Sequence, residues 1–357
     1  MFRRLFAAAL ALLITGIGST ALATPTSINA LFEEQAEMRG IWVTRWTWRS
    51  EEEVVRIVDR VADAGFNTIF FQVRGTFDSY YRSNIEPWGE RLTGTLGQDP
   101  GWDPLAVTLR EAHQRGLKVH VWLNTFPIWR GHELPSASTP THPLTLNPDW
   151  VLMEPTGERM PLNDSYIFAD PANPEVRAHV AAVVRDIVAN YAVDGVHLDY
   201  IRYPGKDYID RERGQAAVTA TVAEVRRTTD LPLSAAVWGI HSNPFGWSGV
   251  SKGATDYYQE SHAWGREGAL DAIAPMIYWP VTEPEGQRLD FRSLVRHHIA
   301  ERGQAAVWAG VSAEHSYEEV VECVRAAREE GAQGYVIFDY SQLEPNVERF
   351  GVEVNGR

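Results

Sequence analysis

Beyond Met38 the apolar and polar positions follow two alternating rhythms. Short runs rich in β-branched and aromatic residues, such as Thr68-Ile69-Phe70-Phe71-Gln72-Val73-Arg74, are separated by longer stretches whose apolar positions recur every three or four residues. Strands are predicted at 41–44, 68–74, 118–124, 195–201, 232–238, 271–279, 305–312 and 334–340. The helix starts carry their own signals. Ser50 with Glu53 spells a capping box, and Asp103-Pro104 and Asn173-Pro174 each put proline just inside an N-cap. Val54, Ile57, Val58 and Val61 then recur at helical spacing, with Gly65 as the stop. Further helices are predicted near 212–228, 255–267, 290–302 and 317–330.

Strand–helix units repeated eight times without a break predict an α/β fold, a single-domain (β/α)8 TIM barrel over 37–343. A doubly wound open sheet is the alternative, but no Gly-rich dinucleotide turn follows the first strand. The last helix is expected to be short or missing, leaving 344–357 as a tail. Two connections, 75–102 and 125–173, are long enough to imply a function, and in a barrel such loops wall the C-terminal face where active sites lie.

The first residues break this pattern. Arg3 and Arg4 precede an apolar run from Leu5 to Ile14, and Ala21-Leu22-Ala23 forms a small-x-small cleavage pattern. This predicts a signal peptide over 1–23, a linker over 24–36, and a secreted or periplasmic protein. The apolar run is too short for a comfortable span of ~20 residues, so no membrane span is expected after cleavage. The only cysteine, Cys323, is not placed to carry a lipid and lies on an apolar helix stripe, where packing is its expected role. The formal charge of −14 disfavours a nucleic-acid partner. Oligomeric state is not legible.

Candidate chemistry is read at the strand tips. The second strand ends Gln72-Val73-Arg74, the third at Asn124, and the fourth runs through His197 and Asp199 to Arg202. Strand alternation puts Gln72 with Arg74, and His197 with Asp199, on common faces. A carboxylate on a central parallel strand is costly unless hydrogen-bonded or used, so Asp199 is either catalytic or paired with Arg202 or Arg74. Trp238, Tyr278 and Trp279 close the fifth and sixth strands, and Trp46, Tyr81, Tyr200 and others fall near strand ends or in the long loops. Aromatic faces beside carboxylates, arginine and asparagine suit a carbohydrate, whose C–H faces pack on rings and whose hydroxyls need polar partners. Trp42 and Trp122 read instead as core. No HxH, HExxH or G-x-S-x-G pattern occurs, so neither metal nor cofactor is expected, and His197 reads as the residue holding Asp199.

Several segments resemble a known family. They are 38–44, Phe71-Gln72-Val73-Arg74 with Asp78 and Tyr81 behind it, 120–124, the stretch opened by Asp170-Pro171, Pro275 to Trp279, and above all 194–204 around Asp199. Together they resemble the glycoside-hydrolase-like family ten, DigH-type secreted bacterial proteins related to barrel glycosidases. The resemblance implies a (β/α)8 barrel that hydrolyses a glycan, with the DigH type acting on peptidoglycan strands stripped of their peptides. It also implies a catalytic role for Asp199, because related barrels keep a carboxylate on the fourth strand. The partner carboxylate is left among Asp256, which could equally cap a helix, Glu283, Glu314 after the seventh strand, and Asp339 on the eighth. In this reading Asp199 stays ionised through Arg202 or Arg74, and the acid with a raised pKa sits beside Trp238 or Trp279. Gln72, Arg74, Asp78, Tyr81, Asn124, Asp170, His197, Arg202, Trp238, Tyr278 and Trp279 are the expected substrate-binding residues. A non-catalytic carbohydrate-binding barrel and a transglycosylase remain the rival readings.

Overall fold

The computed structural model describes residues 37–357, so the expected signal peptide and linker lie outside the described residues. Eight parallel strands close a barrel: β1 (Met38–Val43), β2 (Thr68–Arg74), β3 (Lys118–Asn124), β4 (Gly195–Asp199), β5 (Leu233–Trp238), β6 (Ala272–Met276), β7 (Ala306–Ser312) and β8 (Gly334–Phe338). Closure is made by β8 against β1, with Met38 opposite Gly334 and Ile41 opposite Ile337. Closing the sheet leaves no edge strand with unpaired N–H and C=O groups. Alternate residues divide between two cores. Trp42, Phe70, Trp122, Ala236, Ala274 and Trp308 fill the barrel interior, while Ile41, Ile69, Val121 and their neighbours face the helices outside.

The helices start where their caps place them. Ser50 accepts from the Glu53 N–H at 3.3 Å, Asp103 from Ala106 at 3.1 Å and Asn173 from Glu175 at 2.8 Å. Each bond satisfies an N–H that the first helical turn leaves without a partner. Gly65 ends the first helix at φ 75°, a left-handed position natural to glycine.

The departures from expectation gather at the C-terminal ends of the strands. β4 stops at Asp199 because Tyr200 takes φ 49°. β6 stops at Met276, and Ile277 turns back to donate to Pro275 O at 2.9 Å, which frees Tyr278 and Trp279 from the sheet. The single helix expected over 255–267 is two short ones, Gly253–Asp256 and Ser261–Arg266. Between them Gln259 braces two strand ends, accepting from Trp238 N at 2.8 Å and donating to Ile201 O at 3.3 Å. The 125–173 connection contains a small hairpin of Pro127–Trp129 and Ile167–Phe168.

Nor is 344–357 a tail. Val347–Glu353 is helical, Val347 and Phe350 are buried, and Phe350 stacks on Phe66 at 5.5 Å between ring centroids. This short helix closes the last unit of the barrel, its apolar side packed on the helix Glu51–Asp63. No helix among the described residues is long and apolar enough to cross a membrane. Cys323 is packed on its helix as expected, and burial pushes its thiol up to about 12.

Candidate active site

The C-terminal mouth of the barrel holds a cavity of about 420 Å³, bounded by residues from the ends of β1 to β6 and β8 and from the hairpin loop. Its walls are mostly aromatic: Trp46, Tyr166, Tyr200, Trp238, Tyr278, Trp279 and Phe338, with Trp42 and Trp122 deeper in the barrel. Trp46 stands at the lip, 50% exposed, with the guanidinium carbons of Arg45 and Arg91 at 4.4 and 5.0 Å from its ring centroid. Such a basin suits a pyranose, because rings can pack on C–H faces while polar groups take hydroxyls.

Asp199 is the one carboxylate among the lining residues. Its Oδ1 accepts from the Tyr200 N–H at 2.6 Å and its Oδ2 from the Trp122 indole N–H at 3.1 Å. The first bond requires the left-handed turn at Tyr200, a conformation that costs a tyrosine of order 1 kcal/mol and is characteristic of functional sites. Burial pushes the Asp199 carboxyl above the usual carboxylate range, and the Tyr200 N–H, the Arg202 charge and the Trp122 N–H only partly oppose this. The sequence reading expects Asp199 to stay ionised, whereas its burial favours the protonated form.

Tyr278 forms the opposite kind of wall group. Burial pushes its hydroxyl far up, and the charges of Asp199, Asp339 and Glu314 add to that, so it stays a neutral hydrogen-bond donor and acceptor. Gln72 and Asn124 are pre-set at the cavity edge. Gln72 accepts from the Arg45 backbone N–H at 3.0 Å and donates to Asn124 Oδ1 at 3.1 Å, which defines both amide orientations.

Of the expected binding residues, Gln72, Asn124, Arg202, Trp238, Tyr278 and Trp279 line the cavity. Arg74 does not. The β2–β3 register shifts between Gln72 and Arg74, so the two do not share a face; Arg74 instead enters a buried ion pair with Glu86 at 2.7 Å. Asp78 and Tyr81 belong to the packing of the 75–102 loop, where Asp78 accepts from the Thr76 N–H at 2.6 Å and Tyr81 sits edge-on to Tyr191. Asp170 fixes a turn, accepting from Ala172 N at 2.8 Å and the Tyr203 hydroxyl at 3.1 Å.

His197 faces the barrel interior but does not hold Asp199. The Trp42 indole donates to its Nε2 at 3.1 Å, so its proton is on Nδ1, 2.8 Å from Ser234 Oγ. Burial keeps this imidazole neutral, its pKa pushed well down. Asp256 is tied down locally, Oδ2 to the Lys252 N–H and Oδ1 to the Thr255 hydroxyl, both at 2.9 Å. From the end of its short helix Asp256 thus reaches back to the Lys252 N–H, and it is absent from the cavity lining. Glu314 is different. It is exposed just past β7, and its carboxylate has no hydrogen-bond or ion-pair partner among the described residues.

Sequence reasoning passed over Arg45 and Tyr166. Arg45 is 3% exposed, lines the cavity, and donates to the Tyr166 hydroxyl at 3.0 Å. The Arg45-Trp46 pair directly after the first strand was a usable signal, since charged and aromatic residues together at a barrel strand tip point to a ligand. Tyr166 had none, because it comes from the middle of a long connection.

Comparison with known proteins identifies the family and the fold. Residues 37–229, more than half of the chain, match the family described as Glycosyl hydrolase-like 10, and the protein belongs to that family. Among curated relatives, the glycosyl hydrolase YngK of Bacillus subtilis is 28% identical over 309 residues, covering 74% of this chain and 58% of its own length. The glycosyl hydrolase DigH of Escherichia coli K12 is 29% identical over 401 residues, covering 95% of this chain and 84% of its own. The chain thus spans well under two thirds of YngK. Solved structures share the fold. The glycoside hydrolase domain of PgaB from Bordetella bronchiseptica superposes with TM-score 0.59 at 13% identity, over 90% of this chain and 100% of that one. The catalytic domain of a Paenibacillus polymyxa β-amylase gives 0.60 at 10% identity, over 89% and 98%.

Proposed function

We propose that this member of the glycosyl hydrolase-like 10 family is a secreted glycoside hydrolase acting on a bacterial cell-wall glycan, with peptide-free peptidoglycan strands as its substrate. The observation that carries the reading is Asp199: a buried carboxyl with an elevated pKa, held by two N–H donors at the floor of an aromatic cavity. A carboxyl in that state keeps its proton closer to neutral pH and can deliver it to a leaving oxygen.

In the proposed reaction the sugar ring packs against Trp238 and Trp279, and Asp199 donates its proton to the glycosidic oxygen. The bond from that oxygen to the anomeric carbon breaks, its electron pair staying on oxygen. Water attacks the anomeric carbon and gives up a proton to the second carboxylate. We assign that role to Glu314, because it is free of other partners and near enough to Tyr278 for its charge to be felt there. Gln72 and Asn124 supply fixed amide groups for sugar hydroxyls.

The test is release of reducing ends from peptide-free strands, with intact sacculi and chitin oligomers alongside, by wild type and Asp199→Asn. Release by the wild type that the variant loses supports the assignment; full-rate turnover by the variant removes it. One observation favours a second reading, a non-catalytic glycan-binding barrel: hydrolysis uses two carboxyls, and the cavity lining holds one. No release from any substrate, with glycan binding retained, would select that reading.

A further inference from the structure

Two arginines face the cavity of a chain of net charge −14, Arg45 within reach of the Asp78 charge and Arg202 within reach of Asp199. Arg45 and Arg202 both line the cavity, and neither makes an ion pair with a carboxylate among the described residues. Arg74, Arg115, Arg177 and Arg296, by contrast, are matched to aspartate or glutamate. Arg45 is buried and spends one N–H on the Tyr166 hydroxyl. Arg202 is held flat by rings, its guanidinium carbon 4.7 Å from the Tyr200 centroid, 5.1 Å from Tyr257 and 5.6 Å from Trp238. Its Nε is buried with no hydrogen-bond partner, and its one bond is a long 3.4 Å contact to Tyr203 O.

The two guanidinium groups belong to one wall. Tyr166 bonds to Arg45 and sits edge-on to Tyr200 at 5.4 Å, while Tyr200 lies under Arg202. The charges of both arginines reach the Tyr200 hydroxyl. A guanidinium at a cavity wall with no carboxylate bonded to it keeps donors for a ligand, and its planar fork fits a carboxylate.

We propose that the Arg45–Tyr166–Tyr200–Arg202 wall is a subsite for a carboxylate carried by the sugar. The proposal rests on the glycan reading above and adds its charge: the substrate is an acidic glycan. Two kinds of sugar supply this group, a hexuronate and a muramic-type sugar with a free lactyl ether. In intact peptidoglycan the lactyl carboxyl is amide-linked to the peptide and carries no charge, so a subsite of this kind would itself select stripped strands.

The experiment measures binding to the Asp199→Asn protein by calorimetry, separately from turnover. Its probes are a peptide-free muramic-acid tetrasaccharide, the same oligomer with its lactyl carboxyls reduced to alcohols, and an oligogalacturonate of equal length. The expected result is at least tenfold tighter binding of one carboxylate oligomer than of the reduced one, weakening as salt rises. Whichever acidic oligomer binds tighter identifies the source of the carboxylate. Arg45→Gln and Arg202→Gln should each remove most of the preference, with circular dichroism and the melting temperature reporting that the variants fold. Equal affinity for the acidic and reduced oligomers overturns the proposal without any arginine substitution, and so does a preference that survives in both variants. Because binding is read on an inactive protein, it stands or falls independently of whether the wild type releases reducing ends.

Discussion

Arg74 and Arg202 both stand at or just past the tip of a barrel strand, and both were candidate substrate ligands, yet their surroundings are opposite. Arg74 is saturated. Its Nε and one terminal nitrogen grip Glu86 at 2.7 to 3.1 Å, and the other terminal nitrogen donates to the carbonyls of Asn124 and Thr125 at 2.5 and 3.0 Å. Glu86 is closed in turn by His179 at 2.8 Å. Burial would push the Glu86 carboxyl up, but Arg74 and His179 outweigh it and hold it at about 2. Arg202 has ring faces around it and no carboxylate bonded to it among the described residues. The same side chain is a structural brace where its hydrogen-bonding groups are filled and a ligand group where they are left open toward a cavity. Saturation, rather than residue type or position on the strand, separates the two roles.

The sharpest way to break that distinction is to remove one carboxyl from each region. Asp199→Asn should lower kcat about 10²–10⁴-fold with a melting temperature close to wild type, as read by reducing-end assay and calorimetry. Glu86→Gln should do the reverse. It leaves a buried guanidinium uncompensated, with an expected cost of about 3–5 kcal/mol in denaturant unfolding and no direct effect on the chemistry of molecules that stay folded. If Asp199→Asn destabilises as much as Glu86→Gln, the mouth is a brace too.

The two carboxyls should also respond to pH in opposite directions. Glu86 has a depressed folded pKa, about 2 against 4.5, so its stabilisation is present above about 4.5 and is lost as pH falls toward 2. Asp199 has a raised folded pKa, so its protonated form is favoured by folding, and that contribution fades as pH rises through the raised value. Activity that needs the Asp199 proton should fall on the same alkaline limb, and a pH profile of kcat/KM measures it. Glu86→Gln should leave this limb where it is while removing the acid-side loss of stability.

The smallest effect is expected at Asp256. Asp256→Ala removes a local side-chain bond to the Lys252 N–H and should cost about 0.5–1.5 kcal/mol in unfolding, with turnover within about twofold of wild type. A loss of activity approaching that of Asp199→Asn would return Asp256 to the chemistry.

Much of the fold was legible because its signals are local. Capping residues act on N–H groups two or three positions away, and helical or alternating apolar patterns record which face each segment buries. The Asp103 and Asn173 caps form as predicted, while the Ser50–Glu53 box is half made, the Glu53 carboxylate taking the Arg49 N–H in place of Ser50's. The eight strands follow from the same patterns, their ends excepted. At those ends local preference gives way to tertiary demands. Tyr200 leaves the strand to serve Asp199, and Tyr258, also at positive φ, interrupts a helix-like stretch beside the Gln259 brace.

The amino-acid order alone determined the alternation of strand and helix, the polar strand tips and the aromatic character of the mouth, since each depends on near neighbours or on composition. Only the tertiary structure decided which charges are spent. Asp199 meets Trp122 across 77 positions, His179 meets Glu86 across 93 and Arg45 meets Tyr166 across 121. Whether a carboxyl is raised or lowered, and whether an arginine is filled or open, depends on distance and burial in space, which one-dimensional spacing does not encode.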